Sequence, residues 1–181
     1  MVFLADEIKG TNMTEKIMKT VQVKETQYDI SPSQLKQGSI FGALSETSIQ
    51  FLLDEGLLHE VKKGEEIFSY GSKGSSFHAV LHGTLEFYKQ HGSKKQLTRT
   101  AGFGEAIGFV SMIALHERVG SLCAVEDSLL LEISCHLFSD FHDKYPFDFG
   151  ILLMNLSRDM ARTIRVLSNA LVENDVAVKK I

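Results

Sequence analysis

Tryptophan is absent from this 181-residue chain, and cysteine and proline occur only twice each. Cys123 and Cys135 make neither a CxxC pair nor a metal-ligand spacing, which excludes a disulfide framework or zinc ribbon and leaves two small packed thiols. No apolar run approaches the roughly 20 residues of a membrane-spanning helix, so no membrane association is expected. The opening Met1-Val2-Phe3-Leu4-Ala5 is too short for a signal-peptide core and runs straight into Asp6 and Glu7. These absences point to the cytoplasm. A basic excess is missing too. The net charge of −4 and pI near 6.0 lack the electrostatic footprint of a nucleic-acid binder. Direct DNA binding is not expected. With 44% apolar and 23% charged residues the composition is that of a globular protein, which excludes wholesale disorder.

Three segments follow from the patterning. Residues 1–38 are polar and glycine-poor, with a weak helical stripe at Ile17, Met18 and Val21, and read as a peripheral N-terminal arm. Residues 39–145 read as a β-roll with flanking short helices. Ser45 suits an N-cap for a helix burying Ile49, Leu52 and Leu53 and ending at Gly56. From Leu57 to Ile133 short alternating runs are punctuated by Gly64, Gly71, Gly74, Gly83, Gly92, Gly102, Gly104, Gly108 and Gly120, the texture of an all-β roll or barrel. The clearest strand pattern covers Phe77 to Phe87, apolar or glycine at odd positions and mostly polar at even ones. Ser134 can cap a short helix bearing Leu137, Phe138 and Phe141. Residues 146–181 read as a long C-terminal helix started by Pro146 and striped by Leu153, Leu156, Met160, Ile164, Leu167 and Leu171. That stripe must bury something, and a homodimer through residues 153–171 is expected. The ten residues after Leu171 leave no room for a helix-turn-helix.

Lys63-Gly64-Glu65-Glu66-Ile67, Tyr70-Gly71-Ser72-Lys73-Gly74 and Phe77 to Gly83, taken in that order, resemble the early hairpins of a cyclic-nucleotide-binding domain. Ala124-Val125-Glu126-Asp127-Ser128 followed by Leu131-Glu132-Ile133 resembles the strand leaving that family's phosphate-binding cassette. Met160-Ala161-Arg162 resembles the central helix of the catabolite activator branch. The likeness covers roughly residues 38–172. It implies a mainly β, double-stranded β-helix (jelly-roll) fold closed by the long helix, and a non-enzymatic regulatory module of signal transduction. The default ligand is cyclic AMP or cyclic GMP, with no other cofactor implied.

In that family a Gly-Glu pair opens the cassette helix, and an arginine followed by a small hydroxyl residue comes soon after. The resemblance implies that helix-terminal N–H groups and the arginine hold the cyclic phosphate, while the glutamate binds the ribose hydroxyl. Two alignments compete. Gly104-Glu105 supplies the pair but stretches the segment before Arg118. An ungapped match makes Gly108 the cassette glycine and puts Phe109 at the glutamate position. On the ungapped match the ligand-binding set is Gly108, Phe109, Val110, Arg118, Val119 and Ser121, with Leu167 and Ser168 from the long helix in place of the family's Thr-Ser pair. Losing the sugar anchor removes a charge-assisted hydrogen bond, which weakens an ordinary cyclic nucleotide by about 10- to 100-fold. The run Gly104 to Phe109 is closer to the oxygen-sensing regulators of the same superfamily, but their cluster-ligating cysteines are missing.

Plainer roles stand beside these. Arg118 could be a structurally paired arginine, Phe109 a packing residue that closes the pocket, and Glu105 a solvated hairpin carboxylate. The chain would then be a ligand-independent dimerisation or docking scaffold. His78, His82 and Glu86 share a strand face, but residues four apart on a strand lie about 13 Å apart, so no shared metal ion is expected. His116 and Glu117 read as a solvated turn. No nucleophile, base and orienter converge, so no enzyme activity is expected.

Overall fold

The computed structural model describes residues 18–22, 26, 28 and 30–177. Nine strands form two antiparallel sheets among the described residues. The first has the order β1 (Lys19–Val21), β2 (Leu57–Val61), β9 (Ser128–Ser134), β4 (Ser76–His82), β7 (Ala106–Ile107). The second runs β3 (Glu66–Phe68), β8 (Gly120–Ala124), β5 (Leu85–His91), β6 (Lys94–Ala101). Val61, Val80, Ile107 and Leu130 from the first pack with Phe68, Leu85, Ala101 and Leu122 from the second, so the two sheets close on one apolar interior. This is the β-roll with a long C-terminal helix that the sequence leads one to expect.

Among the described residues five helices accompany the sheets: α1 (Pro32–Leu35), α2 (Glu46–Glu55), α3 (Phe109–Ile113), α4 (Cys135–Lys144) and α5 (Pro146–Glu173). Ser45 accepts from Ser48 N and Ser134 from Leu137 N, each meeting one orphan donor of a first turn, and Pro146 opens α5. The outer face of the first sheet supplies Phe77, Ala79, Leu129, Leu131 and Ile133 to a second core shared with Leu52, Phe141, Leu152 and Leu156 of the helices. The first sheet is therefore covered on both sides.

Two local readings need correction. The Phe77–Phe87 run is not one strand. The chain turns after β4 at Gly83, where a side chain would strike Ser128, and crosses to the other sheet as β5. Of the even positions of β4, Ser76, His78 and Val80 do not face water, because they are buried toward the roll interior while the odd ones meet the helices; His82, at the strand end, is exposed. In the arm, Lys19–Val21 pairs with Leu58–Glu60 as an edge strand rather than forming a helix. Ile17 lies outside the described residues.

Asn155 fastens α5 to the segment entering the roll. Its Nδ2 donates to the Ile40 and Gly42 carbonyls at 3.1 and 2.8 Å, and its Oδ1 accepts from Arg158 at 2.9 Å. An Asn155→Leu variant strands these carbonyls and is expected to lose about 2 kcal/mol in urea unfolding. Ser157→Ala, on the exposed side of the same turn, is expected to stay within about 0.5 kcal/mol.

Candidate ligand site around Arg118

Arg118 stands just before β8, at the end of the loop that follows α3. Its backbone is fixed by the loop after β3: Arg118 N donates to Ser72 O at 2.8 Å, and Gly71 N donates to Arg118 O at 2.8 Å. The side chain then turns into the roll, and the residue is only 3% exposed. Nη1 donates to the Gly108 carbonyl at 2.7 Å, and Nη2 to the Ser76 carbonyl at 2.7 Å and the Ser76 hydroxyl at 3.3 Å. The guanidinium carbon lies 4.2 Å from the centre of the Phe68 ring, a cation–π contact. Nε is buried with no hydrogen-bond partner.

Gly108 makes this approach feasible. It precedes α3 with φ of +91°, and a Cβ there would lie 2.7 Å from Arg118 Nη1. Burial lowers the guanidinium pKa to about 10, a shift that Glu132 opposes, so the group stays cationic at neutral pH. A positive charge with neutral acceptors and an unpaired Nε–H suits an incoming anion.

The helix begins immediately after Gly108, whereas Gly104-Glu105 forms the turn between β6 and β7. The Glu105 carboxylate accepts from Gly102 N at 2.8 Å and lies 3.9 Å from Arg99, so it faces its own turn. The remaining sequence candidates separate in space. Phe109 is buried in the helix-side core rather than in the roll, and Val110 is exposed. Ser121 is buried on β8, where its hydroxyl accepts from Tyr70 N at 3.2 Å. Val119 is half-buried and borders, with Arg118, Tyr70, Lys73, Met112 and His116, an open cleft of about 790 Å³. Leu167, 44% exposed, and the exposed Ser168 stand on the far part of α5 and do not line that cleft.

Sequence reasoning grouped His78 with His82 and Glu86 and missed its actual neighbours inside the roll, His59, Ser76 and Glu132. His59, Ser76 and His78 are buried, and Glu132 is half-buried. The Ser76 hydroxyl, which accepts from Arg118, also helps to hold the Glu132 carboxyl below its usual range, so it stands between the carboxylate and the guanidinium. The available signal was the sheet order β2-β9-β4, which only tertiary structure reveals.

The structure is thus a two-sheet roll with an arginine drawn in beside a left-handed glycine. The family model for the cyclic nucleotide-binding domain matches residues 58–145. Over that segment the chain is similar to the cyclic nucleotide-binding domain family.

Among solved structures, a cyclic nucleotide-binding domain from Methylobacillus flagellatus is similar with a TM-score of 0.70 and 17% identity, over 82% of this chain and 83% of that one. The regulatory subunit of a cAMP-independent protein kinase A from Trypanosoma cruzi, bound to guanosine, has a TM-score of 0.62 and 18% identity, over 81% and 51%. At these identities the likeness concerns the fold. Patatin-like phospholipase domain-containing protein 7 of Rattus norvegicus is 30% identical over 99 residues, 54% of this chain and 7% of that protein. The chain spans only 5–8% of the length of such curated relatives. Among the described residues no helix is long and apolar enough to cross a membrane.

Proposed function

We propose that this chain is a regulatory module that takes a small nucleotide-like ligand beside Arg118 and reports its presence through α5. The observation that carries this reading is the buried guanidinium at Gly108, cationic and with its Nε–H unpaired, in a domain similar to this family. Cyclic AMP and cyclic GMP are the reference ligands. The phenyl group of Phe109 at the family's carboxylate position leaves the ribose without its usual anchor, which favours weak binding of both. The T. cruzi regulatory subunit, bound to guanosine, adds a nucleoside without phosphate to the candidates.

Calorimetry with cyclic AMP, cyclic GMP and guanosine tests the reading on wild type and Arg118→Met. At least one ligand is expected to bind, with affinity reduced tenfold or more in the variant while thermal unfolding remains cooperative. Absence of heat with all three sinks the nucleotide claim.

The second reading, a ligand-independent scaffold, draws support from the same guanidinium, which already has three bonds to Gly108 and Ser76. Its plug would be Arg118 with Phe68, since Phe109 lies in the other core. Retained partner binding in Arg118→Met, with no ligand effect, would favour it.

Both readings use α5 as a dimer helix. Ile164, 63% exposed, and Leu167 continue the apolar stripe past Asp159, the last residue of the helix buried in the domain. An unsupported helical segment of this length is marginal in water, so pairing with a second copy is the natural cover. Sedimentation should show a dimer that Leu167→Glu converts to a monomer. A monomeric wild type at high concentration would remove the claim. Direct DNA contact is not part of the proposal, and a cytoplasmic setting accompanies it.

A further inference from the structure

The roll interior holds a second constellation that nucleotide binding does not use. His59 on β2, His78 on β4 and Glu132 on β9 come from three neighbouring strands. Glu132 lies opposite His78 on one side and Leu57 on the other, so His59, two residues beyond Leu57, faces the same interior. One ligand atom from each residue lies within 4.8 Å of the other two. His59 Nε2 is 2.7 Å from Glu132 Oε2.

His78 supplies the independent observation. It is 2% exposed, stacked at 6.1 Å between ring centres on Phe68, and neither ring nitrogen has a hydrogen-bond partner. Burying a polar group unpaired is costly, and an imidazole whose lone pair faces a histidine and a carboxylate is arranged for a cation.

We propose that His59, His78 and Glu132 form a binding site for a divalent transition metal, with zinc as the reference ion and one coordination position left open. Two imidazoles and a carboxylate are a recurrent donor set for such ions. Bonds of about 2.0–2.2 Å put tetrahedral donors roughly 3.4 Å apart, so the 2.7 Å hydrogen bond between His59 and Glu132 must open and the three donors settle around the ion by side-chain rotation. Outer partners are present as well. Thr20 Oγ1 lies 3.5 Å from His59 Nδ1, and Ser76 stands two residues before His78 on β4, with its hydroxyl toward Arg118. Arg118, across Ser76 from the Glu132 carboxylate, opposes a second positive charge, so the affinity is expected to fall below that of an all-cysteine structural zinc site.

The test uses the untagged chain, stripped with chelator, and does not depend on nucleotide binding. Zinc is titrated by calorimetry and cobalt by visible absorption. One equivalent is expected, with affinity lowered at least tenfold in Glu132→Gln and in His78→Phe, which keeps the stack on Phe68. His136→Asn, at an exposed histidine, is expected to bind as wild type does. In the unmutated protein two buried histidine rings should shift in NMR spectra on zinc addition, a readout that survives any folding defect in the variants. Absence of zinc heat and cobalt bands, equivalent binding that persists in both variants, or unmoved buried rings would each overturn the proposal.

Discussion

Replacing Gly104 with alanine is expected to destabilise the domain by about 3–5 kcal/mol, the sum of a left-handed backbone and an overpacked contact. Gly104 has φ of +73°, and a Cβ there would lie 2.1 Å from Gly38 Cα and 2.9 Å from its carbonyl carbon. Those are backbone atoms, so no rotamer can relieve the clash. The contact is also wired. Gly104 N donates to Val80 O at 2.8 Å, and Gly104 O accepts from Ile40 N and from the Ser39 hydroxyl, each at 3.0 Å. Moving the turn away to fit a methyl group would break bonds on both sides. Urea unfolding supplies the measurement, and Gly102→Ala supplies the control. A Cβ at Gly102 meets only the Glu105 carboxylate at 4.0 Å, so that variant is expected to stay within about 1 kcal/mol. Equal midpoints for the two variants would show that the 38–104 crossing is not tightly packed.

A second large effect is expected on acidification, with EDTA present so that no cation shares the histidine. His78 drops from an ordinary 6.5 to about 3, first because burial disfavours its charged form. Glu132 pulls the other way, while Arg118 and His59 reinforce the drop. In the unfolded chain the imidazole takes up a proton below about 6.5. In the folded chain it stays neutral until about pH 3. The unfolded state therefore binds the extra proton across that window, and this contribution, complete above pH 6.5, is lost as pH falls. Its full size is on the order of 5 kcal/mol. Glu132, held at about 2 rather than its usual 4.5, adds a loss that begins lower. Because the two groups face each other, the proton entering this interior is shared and the two contributions do not add fully. Stability measured by urea unfolding from pH 7 to pH 4.5 should fall steeply in wild type and much less in His78→Phe. Parallel slopes would mean that His78 is solvated.

Much of the fold was legible because it is written locally. Ser45, Ser134 and Pro146 announce helix starts through chemistry within three residues, and glycines break the β region at nearly every turn. A helix start was legible through spacing: the ungapped register put it after Gly108, where α3 begins. What escaped depends on partners far along the chain. Strand β1 exists because Glu60, His59 and Leu58 present an edge to Lys19–Val21. Alternation in β4 read as half-exposed because sequence cannot show that a sheet is covered on both faces. Phe109 could not be assigned to one core or the other, since a five-residue helix has too few turns to define a face. Arg118 was visible as a residue, but its acceptors are backbone carbonyls, which every residue type carries. The meeting of His59 with Glu132, separated by 73 positions, follows from strand order alone.

The ion pair between Arg99 and Asp159, 2.7 Å long, is also the last firm attachment of α5 to the roll. Outboard of it the helix runs on to Glu173, a span of roughly 20 Å at 1.5 Å per residue. A tilt of about 10° at that root would sweep the free end through roughly 4 Å by simple leverage. Any shift of β6 that drags on Arg99 is thereby magnified at a surface well removed from the cleft beside Arg118. The domain has the mechanics of a pointer with its pivot in the sheet.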